Sequence, residues 1–209
     1  MKYTITIPNQ ADFIIDIDIP KTVKNVGVMF SGGIDSTLVL SLLQLERLHQ
    51  DFNLTAYTVE NKTGYNFHCL GILEQEFYST VKYVQNISNG GRTDGVIKTG
   101  IGNVLRLSDV EILFTGVNQN PPVTLKGAPS RISKAELSAI PKLRCPLVET
   151  TKDYIVQAYY QIPQLAKLDI LKHTHSCTQK PRGRCGYCFQ CQEREWAFGA
   201  IGQEILYDN

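Results

Sequence analysis

Two short stretches carry residues whose types and spacing could do chemistry. The first, residues 26–40 (VGVMFSGGIDSTLVL), is an apolar run that breaks into Ser-Gly-Gly-Ile-Asp-Ser-Thr and then resumes at helical spacing. It reads as strand, turn and helix. Gly32 and Gly33 let the backbone turn sharply with its amides exposed, and the following helix presents unpaired N–H groups and a partial positive charge. The hydroxyls of Ser31, Ser36 and Thr37 add donors at the same place. The chemistry expected is the holding of an oxyanion, pyrophosphate above all. A Gly-Gly turn into an ordinary helix, with the hydroxyls acting only as caps, is the plainer alternative. A Walker-type loop needs a Lys-Ser/Thr pair after its second glycine, and Asp35-Ser36 stands there instead.

The second stretch holds Cys177, Cys185, Cys188 and Cys191 in the pattern C-x7-C-x2-C-x2-C. Four thiolates so close together favour a closed tetrahedral Zn2+ site, and Pro181, Gly183 and Gly186 supply turns that wrap a chain around a metal. Such a site would contribute folding free energy directly and lock the C-terminal part onto the rest. Iron–sulfur ligation is the rival, and disulfides fit less well in a chain with no export signal. His173 and His175 flank the first ligand and are expected beside the site more than in it. Cys69 and Cys145 lie outside the cluster and read as incidental thiols, since a nucleophilic cysteine needs an electropositive setting. Trp196 reads as a core anchor before a base-stacking platform, Asp16 and Asp18 as a solvent-facing strand face before a cation site, and Asn118, close to the Gly116 turn, as a site candidate or a turn former.

The loop resembles the PP-loop of the ATP pyrophosphatase superfamily, SGG-x-DS. That resemblance implies ATP held at Phe30, Ser31, Gly32, Gly33, Ile34, Asp35, Ser36 and Thr37, with the β and γ phosphates leaving as pyrophosphate. Loop and cysteines together, in this order and about this far apart, resemble the 7-cyano-7-deazaguanine synthase family. Residues 25–43, 113–118 (LFTGVN), 145–155 (CPLVETTKDYI) and 174–198 carry the likeness, roughly half the chain. It implies an adenine nucleotide alpha hydrolase-like fold. It also implies a ligase with ATP, Mg2+ and Zn2+ as cofactors: a carboxylate is adenylated, ammonia gives an amide, and a second adenylation dehydrates the amide to a nitrile. Asp35 and Ser36 are then catalytic candidates, Asp35 orienting Mg2+ or a loop amide. Lys152 matches a lysine that follows the family's Pro-Leu segment, and it either neutralises phosphate charge or is a solvated lysine opening a helix.

The family's substrate segments are altered. Tyr-Gly-Gln-Arg-His is replaced by Thr58-Val59-Glu60-Asn61-Lys62. Of Pro-Gly-Arg-Asn only Asn103 survives, and Gln119-Asn120-Pro121-Pro122 replaces the segment after residues 116–118. Gly116, Asn118 and Asn103 remain the substrate candidates. The resemblance implies as partners a small heterocyclic acid and ammonia, and a homodimer. The altered segments leave room for another acceptor, a tRNA base, a nucleotide or a protein amine, as in divergent phage and antiphage-defence relatives. A non-catalytic nucleotide-and-zinc binding module is the third reading, and the intact loop weighs against it.

These residues need a frame. The 209 residues carry 21 Lys+Arg against 20 Asp+Glu, a balance that disfavours a nucleic-acid-wrapping or membrane-adsorbing protein. A locally basic run (Lys172, Lys180, Arg182, Arg184, Arg194) could greet an acidic ligand or simply be a solvated surface. No apolar stretch approaches a bilayer span and none reads as a signal core, so the cytoplasm is expected. Residues 2–7 and 11–19 alternate as a hairpin. Strands are then expected at 26–30, 54–59, 95–99 and 111–116, with helices over 36–49, 70–85, 102–108, 151–161 and 193–201. The Pro- and Gly-rich run 118–140 should form an irregular flap. The expected fold is α/β: a parallel sheet flanked by helices, with an N-terminal β-hairpin (1–24), a nucleotide-binding domain (25–170) and a C-terminal zinc-binding segment (171–209).

Overall fold

The computed structural model describes residues 1–58, 84–86 and 93–206. Strands β1 (Lys2–Ile5) and β2 (Phe13–Asp16) form the antiparallel hairpin, with Ile5 opposite Phe13. Five further strands make one sheet: β3 (Asn25–Met29), β4 (Asn53–Thr58), β5 (Val84–Asn86), β6 (Ile112–Thr115) and β7 (Leu143–Arg144). Their order is β5-β4-β3-β6-β7 and every neighbouring pair is parallel. The helices are α1 (Ile34–Glu46), α2 (Thr93–Leu107), α3 (Lys134–Ser138), α4 (Lys152–Gln161), α5 (Pro163–Leu168) and α6 (Phe189–Ala200). Among the described residues, no helix is long and apolar enough to cross a membrane.

A parallel strand must bury both faces, and the alternation along each strand sorts its side chains into two cores. Val26 and Val28, Leu54 and Ala56, and Ile112 and Phe114 pack with Leu38 and Leu42 of α1, Ile155 of α4 and Phe198 of α6. On the other face Tyr57, Leu113 and Leu143 meet Ile101 and Val104 of α2 and Leu137 of α3. Gly27 points to that second face, where a Cβ would lie 2.8 Å from Val110 and 2.9 Å from Tyr57, so only hydrogen fits. Helix α1 is wedged between sheet and α4 and is apolar nearly all round. Leu38, Leu40, Leu42 and Leu43 are fully buried, each worth roughly 1.5–3 kcal/mol. The hairpin lies on α4: the Thr6 carbonyl and amide bond the Gln161 side chain at 2.7 and 3.0 Å, and Tyr154 donates to the Ala11 carbonyl at 2.6 Å.

The strand expected at 95–99 is corrected: those residues lie inside α2, and the strand paired with β4 is Val84–Asn86. The β-branched pair Val96-Ile97 invites a strand reading. Ile97, Ile101, Val104 and Leu105 nevertheless recur at helical spacing, and that longer pattern decides. Of the helix expected over 70–85, only its last two positions are described, and they fall in β5. Cys69 and residues 59–62 lie outside the described residues. The run 118–140 is irregular except for α3, which Ser133 opens with a reciprocal capping box to Glu136.

The chain moves from β3 to β4 and β5 on one side, then crosses to β6 and β7 on the other. Direction reverses between β3 and β6, so the carboxyl ends of those two strands flank the crevice where open α/β sheets bind ligands.

Candidate active site and metal centre

The loop leaving β3 is held by its own side chains. The Ser36 hydroxyl accepts from the Ser31 amide at 3.1 Å, lies 3.1 Å from the Ser31 hydroxyl and donates to the Gly33 carbonyl at 3.3 Å. Gly32 sits at φ +75°, the left-handed region that favours glycine. Gly33 is the N-cap and makes no side-chain cap bond, and the first helical bond runs from the Thr37 amide to the Gly33 carbonyl at 3.0 Å. Among the described residues no side chain caps the leading amides of α1, which begins at the carboxyl edge of the sheet. Phe30 and Ile34 contribute backbone only, because both side chains are buried in the core. The Ile34 carbonyl is tied to α4 by the Tyr159 hydroxyl at 2.8 Å.

Gly116, at the end of β6, lies against this first turn. A Cβ there would come within 2.7 Å of the Asp35 carbonyl carbon and 2.8 Å of the Ser36 nitrogen. The absent side chain thus lets the two loops at the switch point close on each other. Two residues on, Asn118 is 2% exposed, and neither atom of its amide has a partner among the described residues. Asp35 Oδ1 and the Thr37 hydroxyl are likewise buried and unpartnered. Unpaired buried polar atoms cost roughly 1–3 kcal/mol each, and although Gln44 Nε2 and Glu46 Oε2 further along α1 also lack a hydrogen bond, Asp35, Thr37 and Asn118 belong to the two segments that meet at this crevice, which makes it the candidate ligand site.

A chain of charges runs beside it. Lys152, the first residue of α4, is buried, with Nζ 3.1 Å from Asp35 and 2.7 Å from Glu193 on α6. Glu193 is 1% exposed and also bonds Arg131 at 2.8 Å. Arg131 donates from Nε to Asn120 at 2.7 Å and lies over the Phe189 ring. Lys152 does open a helix, but it is not solvated. Burial opposes its charge, yet Asp35 and Glu193 together hold its pKa above the ordinary lysine value. Burial also pushes the Asp35 carboxyl up, against the pull of Lys152. Such buried, mutually perturbed groups in a crevice are what functional sites contain.

The sequence alone does not single out Glu193 and Arg131. Each is one charged residue among many, and 62 positions separate them. The only local signal for Glu193 is that it follows Cys191 by two residues. Asn103 lies on α2, where it accepts a 3.4 Å bond from Arg106. Among the described residues, no hydrogen bond or ion pair joins it to the loop.

The four cysteines come together. The sulfurs of Cys177, Cys185, Cys188 and Cys191 all lie within 4.8 Å of one another. Tetrahedral ligation at about 2.3 Å puts sulfurs roughly 3.8 Å apart, so the set fits a four-coordinate metal ion. Amides already point at the sulfurs: Gln179 and Lys180 toward Cys177 at 3.4 and 3.3 Å, and Cys188 toward Cys185 at 3.3 Å. Burial works against ionisation of Cys185, but the Cys188 and Tyr187 amides outweigh it and bring the thiol down to about 6.

His175 is not in the ligand set. Its Nε2 faces the carbonyls of Cys177 and Lys180 at 2.7 and 2.9 Å, and its amide donates to the Gly32 carbonyl at 2.9 Å. Arg194 is fully buried and donates to carbonyls of Leu171, Thr174 and Leu206 and to the hydroxyls of Thr174 and Ser176. It therefore leaves the basic run, in which Lys172 and Arg184 are paired to Asp169 and Glu195. Trp196 is partly buried against the core. Burial pushes the Cys145 thiol up to about 12, the opposite of what a nucleophile needs.

No family model and no curated protein matches this chain. Among solved structures it is similar to the U34-tRNA thiolase NcsA from Methanococcus maripaludis, described with its 4Fe-4S cluster. The identity is 16% and the TM-score 0.46, over 87% of this chain and 68% of that one. It is also similar to a predicted subunit of a tRNA methyltransferase from Methanocaldococcus jannaschii, with 16% identity and a TM-score of 0.35 over 87% and 90% of the two chains.

Proposed function

We propose that this protein is an ATP-dependent carbon–nitrogen ligase of the 7-cyano-7-deazaguanine synthase type, adenylating a carboxylate and passing the acyl group to ammonia. The observation that carries the reading is the buried Lys152, 3.1 Å from Asp35 at the uncapped first turn of α1. A cation, an amide-lined turn and a carboxylate with one unpartnered oxygen are what a departing pyrophosphate and its Mg2+ require.

In the proposed sequence a carboxylate oxygen attacks the α-phosphorus and the bond to the β-phosphate breaks, with charge accumulating on pyrophosphate. The amides of residues 34–36 and Lys152 receive that charge, and Ser31 and Ser36 keep the loop in shape for it. Asp35 Oδ1 would hold Mg2+, which supplies further neutralisation when bound. Ammonia then attacks the carbonyl carbon, AMP leaves, and an amide and a proton result. A second adenylation, on the amide oxygen, releases pyrophosphate and a proton, and loss of AMP and the remaining nitrogen-bound proton then gives the nitrile. Asn118, with both amide atoms unpartnered, is the substrate contact that the geometry favours over Asn103. The four cysteines would hold Zn2+ as a closed site with no vacant position for chemistry, and an iron–sulfur cluster is the alternative that elemental analysis excludes or finds. The same reading takes residues 1–24, 25–170 and 171–209 as hairpin, nucleotide and zinc units of a cytoplasmic homodimer.

The test is incubation with ATP, Mg2+, ammonium and 7-carboxy-7-deazaguanine, following AMP and the heterocycle by mass spectrometry. Acid-dependent AMP with an amide or nitrile product is expected. AMP without heterocycle turnover would move the search to a tRNA, nucleotide or protein acceptor, which the replacement at residues 119–122 would permit. No AMP and no nucleotide binding would refute the reading.

A further inference from the structure

His175 touches both the cysteine cluster and the anion-binding loop. Its ring nitrogen Nε2 meets two carbonyl oxygens, Cys177 at 2.7 Å and Lys180 at 2.9 Å, and two acceptors require that Nε2 carry the proton. The same turn wraps the Cys177 sulfur from the inside, through the amides of Gln179 and Lys180. The imidazole therefore closes from outside a turn that a metal ion would close from within. On its other side the His175 amide donates to the Gly32 carbonyl at 2.9 Å, and its own carbonyl is the backbone atom that a Cβ on Gly33 would meet at 3.6 Å. Gly32 is the one residue of the loop with a left-handed φ, +75°, and its carbonyl direction sets where the following amides point. His175 is 8% exposed, and this one residue carries both contacts, its ring to the turn around Cys177 and its amide to Gly32.

We infer that His175 is a positioning residue that couples the cysteine metal centre to the anion-binding loop, so that metal and pyrophosphate bind cooperatively. This rests on the nucleotide reading above. Coupling between sites is reciprocal, so a metal that tightens pyrophosphate must itself be held more tightly when pyrophosphate is bound.

The experiment uses the full chain loaded with Zn2+. Zinc affinity is measured by equilibrium competition with a chromogenic chelator calibrated at each pyrophosphate concentration, with and without pyrophosphate, in wild type, His175→Ala and His175→Gln, and pyrophosphate affinity is taken by calorimetry. Gln keeps a donor that can reach a carbonyl. In wild type pyrophosphate should tighten zinc about five- to tenfold, toward the low end of measured couplings. In H175A the tightening should vanish and pyrophosphate should bind about five- to tenfold more weakly at full zinc content, with H175Q in between. A purely structural histidine would lower the ligand-free melting temperature and leave the tightening intact, which overturns the inference. Wild type that binds pyrophosphate but holds zinc with unchanged affinity also overturns it and leaves the nucleotide reading standing. Wild type that binds neither pyrophosphate nor ATP removes both.

Discussion

Replacing Glu193 by alanine tests whether the buried charge chain is as tightly balanced as the distances imply. The carboxylate is 1% exposed and bonds Lys152 at 2.7 Å and Arg131 at 2.8 Å. The Arg131 side chain is 28% exposed, so water takes over much of what that pair loses, and its share is at most about 1 kcal/mol. Lys152 has no such relief, with a side chain 6% exposed and, among the described residues, Asp35 as the carboxylate that remains to it. Removing one partner of a buried pair costs about 3–5 kcal/mol, because the surviving charge stays desolvated. For a chain of this size that is a fall in melting temperature of roughly 6–20 °C. The assay is a double-mutant cycle in urea on metal-loaded protein, with E193A, Lys152→Met and both together. The double variant removes both charges, so it should be more stable than the summed losses by about 2–3 kcal/mol. A loss below about 1 kcal/mol in E193A, or strict additivity in the cycle, would refute the argument that this network is dry and mutually dependent.

Gly116→Ala should weaken pyrophosphate binding and cost about 1–3 kcal/mol, since the new Cβ meets main-chain atoms of Asp35 and Ser36 at 2.7–2.8 Å that cannot swing aside; calorimetry and urea unfolding check both. Gly102→Ala should do the reverse. It lies inside α2 with nothing within 4 Å of an added Cβ, and better helix propensity should raise stability by roughly 0.5–1 kcal/mol in the same assay. Burial raises the Cys145 thiol from 9.0 to about 12, so the unfolded chain ionises first as pH rises. Stability from this group is complete below about pH 9 and is lost between 9 and 12, and Cys145→Ala should flatten that part of the pH–stability curve.

The loop at residues 31–37 and the four cysteines are legible because each is local: a turn and a metal knot are written in consecutive residues. Gly116 shows how far that goes. It is legible as a substrate candidate, but not as the residue that lies against Asp35 and Ser36, because strands far apart in the chain meet only through the sheet order. Lys152 stands out through its position after a Pro-Leu segment alone, and its burial depends on α6 arriving with Glu193. Arg131 is the hardest case, since it sits in an irregular run whose Pro and Gly residues forbid periodicity and leave no pattern to read. The misplaced strand has a related origin: a short β-branched pair imitates a strand when the longer helical period around it is left out.

Arg194 has a consequence for how the four cysteines are brought together. Its guanidinium ties α6 back to residues 171–176, directly ahead of Cys177, while Cys191 lies about one turn before it. The loop joining the first and last of the four cysteines is therefore closed by hydrogen bonds as well as by any ion the sulfurs hold. Closing a loop of about 15 residues is worth roughly 3 kcal/mol of chain entropy, which a zinc finger must draw from the metal itself. Here Arg194 shares that cost, so the cysteines ask less of a metal than an isolated finger does.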